Sequence, residues 1–367
     1  MVLDEGQCSV KRIILGAVVA MATLIGATVA LPAQAATDGF TEYDLAAGDV
    51  RASGITNGPD GAMWFTEFAA NKIGRITTSG AITTFDVPST SDLPGIAAAN
   101  DGNLWFTVDS PADQIGRITP TGTVTLFNVP GANNRPVGIA LGADNKIWFT
   151  ELGADKIGRI DPAAANPQTS LTEFTLAAGS IPSGIISGPD GKIWFAEQGI
   201  DKLGRIDPLA ADPGASLIEF ATPVGSGPTN LTTGPDGAVW FVADTKVDRM
   251  TTAGVVTDQF DVTGAGAGVE LMTTGSDGNL WFLAQAGNTL SRLTTSGVLT
   301  VYPLPQADSA PTTPITGPDG AIWFTEANRI GRFDPPAAVV TTTSAGGSTT
   351  STAPPAAGVE TAPAFTG

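Results

Sequence analysis

GPDGAMWFTEFAANKIGRI, at Gly58–Ile76, returns as GPDGKIWFAEQGIDKLGRI at Gly188–Ile206. The phrase recurs along the whole chain. Each of the seven tryptophans, from Trp64 to Trp323, precedes a phenylalanine, and successive tryptophans are 41, 43, 46, 46, 41 and 42 residues apart. Upstream of each lies a turn that reads GPDG four times and GSDG, ANDG and GADN once each. Downstream come KIGRI or a variant of it, then an alternating segment such as AITTFDVP or SLTEFTLA. Val, Ile, Thr and Phe fill these runs, with Gly, Pro, Asp and Asn between them, so each unit is expected to be four short strands. In the turn, Pro presets φ, Asp bonds back to the backbone and Gly takes positive φ. A unit of four strands repeated seven times is a propeller blade. The expected fold is therefore all-β, a seven-bladed β-propeller of four-stranded antiparallel blades.

Stacked radially, each sheet covers its neighbours, and the Trp-Phe pair is the expected packing unit between blades. Closure can be read as well. Fourth-strand patterns follow blades one to six, but after blade seven the chain reads FDPPAAVV (Phe333–Val340), which breaks on two prolines. One spare strand pattern, FTEYDLA at Phe40–Ala46, precedes blade one. It is expected to form the outer edge of blade seven, protecting an otherwise open sheet edge.

The flanks differ in composition. Lys11 and Arg12 precede the apolar run Ile13–Leu31, and Ala33-Gln34-Ala35 offers a small-residue cleavage site. Residues 1–35 thus read as a secretory signal, although the run is also almost long enough to span a bilayer uncleaved. The single cysteine, Cys8, falls inside it, which leaves no disulfide or thiol chemistry to the exported chain. Residues 36–336 are the propeller, and the Thr/Ser/Pro-rich residues 337–367 are expected to be a disordered tail. The formal net charge of −18 argues against nucleic acid and anionic lipid and favours cations or neutral ligands. The expected product is a secreted or cell-wall-associated monomer, without membrane contact once the signal is cleaved. Its partner would be a small neutral or cyclic-peptide ligand, or a component of the cell envelope.

The chain contains no histidine. That excludes Ser/His/Asp and Cys/His nucleophilic arrangements and histidine-based zinc sites. An all-carboxylate Mg2+ or Ca2+ site stays allowed. The carboxylates after the Trp-Phe pairs (Glu67, Asp109, Glu151, Glu197, Asp244 and Glu326, with Gln285 in blade six) admit two readings. They are an acidic ring at the channel mouth, or each pairs with its own blade's Lys72, Lys156, Lys202 or Arg329. The residues that open the first strands, Ser53, Pro94, Val137, Ser183, Thr229, Glu270 and Thr313, are small and mostly neutral. They are expected to line the mouth, with Ser53, Ser183, Thr229, Glu270 and Thr313 as candidate ligand contacts. In blade five Asp244, Lys246 and Asp248 crowd together, and Asp248 replaces the usual glycine.

The phrase GITxGPDGxxWFTExxxxKIGRIT resembles the blade signature of the virginiamycin B lyase (streptogramin lyase) family, over nearly all of residues 40–335. The resemblance implies a seven-bladed propeller that opens a cyclic depsipeptide antibiotic at its ester by elimination, assisted by Mg2+, and so confers antibiotic resistance. The implied site residues carry over one by one. The family's blade-six Pro-His-Ala-Ile-Thr stretch reads GVELMTTG here, which puts Glu270 at the histidine place. Its blade-seven Glu-Pro-His-Gly-Ile stretch reads PTTPITG, which puts Pro311 at a metal-binding glutamate and Thr313 at the base histidine. The second metal-binding glutamate corresponds to Glu326. With both histidines gone, the expected function is an extracellular binding module or repurposed member of the family, holding Mg2+ or Ca2+ weakly if at all. The alternative is a Mg2+-dependent carbon–oxygen lyase that uses Glu270 and Glu326.

Overall fold

A computed structural model describes residues 39–336 of the protein, apart from 47 and 49. The signal and tail expected at 1–35 and 337–367 lie outside these residues. Strands β1 (Phe40–Asp44) to β28 (Arg329–Phe333) form seven four-stranded antiparallel sheets. Blade one is β2 (Ala52–Asn57), β3 (Met63–Glu67), β4 (Lys72–Ile76) and β5 (Ile82–Asp86), in that spatial order. Blade seven is β26 (Pro314–Thr316), β27 (Ile322–Glu326) and β28, with β1 as its fourth strand. Phe40 pairs with Phe333 and Asp44 with Arg329, so the ring closes as the sequence implies. No helix among the described residues is long and apolar enough to cross a membrane.

Each residue of the repeated phrase has a physical task. The buried indole Nε1 of every tryptophan donates to the aspartate of its own turn, at 2.9–3.3 Å. The turn's first glycine lies flat against that indole, and a Cβ on Gly58 would sit 2.2 Å from Trp64 Cδ1. The last glycine takes φ +75° at Gly61. In six blades the arginine of the third strand reaches the same aspartate, as Arg75 reaches Asp60 at 2.6 Å. The outer strand supplies an aromatic that stacks on the indole. Trp64 and Phe85 are 5.5 Å apart and within 8° of parallel. In blade seven that aromatic is Tyr43 of β1, 5.7 Å from Trp323.

Successive side chains of a strand face opposite ways, so Trp and Phe point into different interfaces. Each tryptophan packs against the phenylalanine of the next blade: Trp64 clusters with Phe106, Trp240 with Phe282, and Trp323 with Phe65 across the closure. The phenylalanine in turn occupies the space over the third-strand glycine, where a Cβ on Gly74 would lie 2.1 Å from the Phe65 ring. Truncating one such tryptophan to alanine costs about 3–5 kcal/mol.

Deleting residues 39–46 removes β1, exposes Trp323 and leaves β28 as an open edge. The melting temperature should fall steeply. A truncated protein that melts with the full-length chain would show that β1 does not hold the ring closed.

Candidate functional site

The first strands surround an axial cavity of about 370 Å3. Ser53, Pro94, Val137, Ser183 and Thr313 line it, whereas blade five contributes Asn230 and not Thr229. The Thr229 hydroxyl is buried without a hydrogen-bond partner. Ser53 Oγ donates to the Pro94 carbonyl at 3.2 Å and Ser183 Oγ to that of Thr229 at 2.6 Å. These serines tie neighbouring blades together, so they offer a ligand only their lone pairs. Among the described residues no charged side chain lines the cavity.

Pairing register fixes which residues are equivalent. Ile55 pairs with Phe65, Ile185 with Phe195, Met272 with Phe282 and Pro314 with Phe324. Two residues earlier stand Ser53, Ser183, Glu270 and Thr312. Glu270, in β22 (Val269–Thr274), therefore has the position expected for it. In blade seven the counterpart is Thr312, and Thr313 matches Gly54 and Gly184. The Thr313 amide donates to Thr325 Oγ1 at 3.1 Å, as the Gly54 amide does to Thr66 Oγ1 at 3.0 Å. The sequence comparison slipped by one because Pro314 takes a place held by Ile in blades one to four. The same correction moves the family's first metal-binding glutamate from Pro311 to Ala310, and neither side chain can ligate a metal.

The cavity wall is asymmetric. In blades one to four the second lining residue is Gly54, Gly95, Gly138 or Gly184. A Cβ there would run into the next blade's backbone, 2.6 Å from the Val137 carbonyl oxygen at Gly95 and 2.5 Å from that of Ser183 at Gly138. Blades five to seven place Asn230, Leu271 and Thr313 at this step, and all three line the cavity. Asn230 and Leu271 were missed by sequence reasoning. The signal was the loss of Gly from the first-strand motif.

The carboxylates form neither an acidic ring nor pairs with their own blade's base. Glu67, Glu151, Glu197 and Glu326 end second strands on the phenylalanine side and are buried, the last three with no exposure. Lys72, Lys156, Lys202 and Arg329 reach outward instead, to Asp86, Glu173, Glu219 and Asp44 on the fourth strands. Asp109, Asp244 and Gln285 lie one residue further on, in the turn; the matching strand positions hold Val108, Ala243 and Ala284. No hydrogen bond reaches either carboxylate oxygen of Glu151, Glu197 or Glu326. Ser180 and Ser309 stand beside Glu197 and Glu326, but their hydroxyls donate to the Ala177 carbonyl and to Asn288 Oδ1. Burial pushes Glu67, Glu197 and Glu326 up to about 7. Burial together with the neighbouring Glu173 charge pushes Glu151 to about 8.

The molecule is thus a seven-bladed propeller with an axial cavity that no charged side chain lines among the described residues, and with carboxyls sealed between its blades. The virginiamycin B lyase family model matches residues 32–208 and 163–344, and the chain belongs to that family. A streptogramin B lyase structure superposes with a TM-score of 0.74 at 31% identity, over 80% of this chain and 97% of that one. Virginiamycin B lyase from Staphylococcus aureus gives 0.72 at 32% identity, over 80% and 98%, and a catalytically inactive histidine-to-alanine variant of it was crystallised with quinupristin. Virginiamycin B lyase of Bordetella parapertussis is 36% identical over 55 residues, 15% of this chain and 18% of that protein. The aligned segment therefore spans less than a fifth of this curated relative.

The resemblance implies Mg2+, and the residues present do not fit it. Of the two glutamate positions, one is Ala310 and the other, Glu326, is fully buried at a blade interface. Among the described residues no group of three or more Asp, Glu, His or Cys is placed to hold a metal ion.

The buried glutamates set the sign of a pH effect. Their folded pKa values lie above the ordinary 4.5, so the folded chain keeps protons that the unfolded chain releases. Their contribution to stability is full below about pH 4.5 and is lost as the pH rises through about 7 to 8. The melting temperature should fall over this window, and the double variant Glu151→Gln, Glu197→Gln should flatten the fall. A wild-type melting temperature that does not change across the window would show that these carboxyls titrate normally.

Proposed function

We propose that the protein is an exported member of the family that holds an uncharged ligand at its channel mouth and does not open it by elimination. What supports this reading is a chain without any histidine, in which Glu270 and Thr312, the register counterparts of Ser53, fall where the resemblance implies histidines. Removing a proton α to a carbonyl calls for a positioned base, worth ~10²–10⁴ in rate. A threonine hydroxyl does not ionise at neutral pH and cannot take that part. The cavity's small, neutral lining favours a small neutral molecule, a cyclic peptide or a cell-envelope component over an anion. Asn230, Leu271 and Thr313 line it where the other four blades have glycine, and we assign ligand selection to them. Export rests on the signal pattern of residues 1–35.

A second reading keeps the chemistry, because Glu270 places a carboxylate-bearing residue at one histidine position. Incubation with a type B streptogramin and Mg2+, followed by mass spectrometry, separates the two. The wild-type protein is expected to leave the ester intact. A linear product carrying a dehydrated residue, abolished by Glu270→Gln, would overturn the proposal in favour of a carboxylate base. Bound ligand stabilises a fold by RT ln(1 + [L]/Kd), so millimolar Mg2+ or Ca2+ should shift melting little. A large shift removed by Glu326→Gln would restore the metal site.

A further inference from the structure

Blade five breaks the carboxyl pattern in a way that opens a second cavity. In blades one, three, four and seven a glutamate ends the second strand, and the third strand has glycine opposite the phenylalanine two residues before that glutamate. The pairing is steric, since a Cβ on Gly158 would lie 2.8 Å from Glu151 Oε1. Blade five reverses the two residues. Ala243 ends β19 (Val239–Ala243), and Asp248 in β20 (Lys246–Met250) takes the glycine place opposite Phe241. The carboxyl group has moved from the second strand to the third, and the volume a glutamate would fill beside Ala243 is vacant.

That volume is a cavity of about 130 Å3, several times the ~30 Å3 share of one water. Asp244, Lys246, Asp248 and Gln259 line it, with Val224 and Gly225 from the loop that leads into the blade. The loop is fixed in place, because Asp201 accepts from the Gly225 and Gly227 amides at 2.8 Å each. Asp248 is fully buried. Its Oδ2 accepts from Gln259 Nε2 at 2.9 Å, and its Oδ1 is buried with no hydrogen-bond partner. Gln259 gives one of its two amide N–H groups to Asp248 and keeps its carbonyl oxygen as an acceptor. The wall therefore offers acceptors, two carboxylates against a single lysine, and Val224 at the rim is 99% exposed.

We propose that this cleft between blades four and five binds a small primary ammonium compound, with the ammonium group on Asp248 and Gln259 and its carbon stem against Val224. The excess of acceptors over donors selects a cation that carries N–H groups. A metal ion is disfavoured, because among the described residues no three acidic side chains converge here, and the cavity is larger than an ion requires. The site is separate from the axial cavity and does not depend on what that cavity holds.

The test is an NMR titration of the full chain with methylammonium and with ethanolamine, following the Gly225 and Ser226 amides and the Gln259 side-chain amide. Tetramethylammonium, which has no N–H, and Mg2+ serve as controls. Saturable shifts confined to these groups are expected for the two primary ammonium compounds alone. Asp248→Asn should weaken binding roughly tenfold or more, as loss of a charge-assisted hydrogen bond does. The double variant Ala243→Glu, Asp248→Gly rebuilds the arrangement of blades three and four, keeps a carboxyl in the interface and fills the cavity. It should fold and lose binding. The proposal fails if the wild type shows no saturable shifts, if tetramethylammonium or Mg2+ produces the same ones, or if either variant binds as the wild type does.

Discussion

The hydrogen bond from each indole to the aspartate of its own turn is the constraint on which this propeller depends. A buried N–H without an acceptor costs about 1–3 kcal/mol, so the aspartate fixes how the tryptophan enters the interface. Once the indole is placed, the turn's first residue must be small to lie against it, glycine in six blades and Ala99 in blade two, and the outer strand must bring an aromatic to stack on it. The third-strand arginine satisfies the aspartate's remaining oxygen. The same bond at seven positions orients seven blades alike, and an unclosed ring would leave Trp323 without Phe65 and Tyr43.

Burial also shapes the aspartate electrostatically. Burial alone would raise the Asp60 carboxyl. The hydrogen bonds from Trp64, Arg75 and the Ala62 amide outweigh it and hold the group below its ordinary value. The glutamates between the blades have the opposite balance: equal or deeper burial with no donor, hence raised values. Blade seven thus contains one carboxyl, Asp319, held below its ordinary value and another, Glu326, raised above it, and hydrogen-bond donors make the difference.

Symmetry makes the departures informative. A fold repeated seven times needs the same packing residues in every blade, and function lies where a blade departs without a packing reason. Glycine gives way to Asn230, Leu271 and Thr313 around one side of the axis. In blade five, glutamate and glycine become Ala243 and Asp248. The first set alters the axial cavity, and the second opens a separate cleft between blades four and five.

The blade count, the strand order and the closure by Phe40–Asp44 were legible in the sequence, because they rest on local period, turn chemistry and a strand missing after Arg332. So was the absence of a histidine base, which is a matter of composition. The tertiary structure alone decided that Thr312 rather than Thr313 is the counterpart of Ser53, since register is defined by hydrogen bonding to a neighbouring strand and Pro314 disguised it. It alone placed the glutamates inside the blade interfaces. Residue spacing puts a carboxyl at the end of a strand, but which side it faces, and whether a donor waits there, depends on the next blade, some forty residues away in the chain.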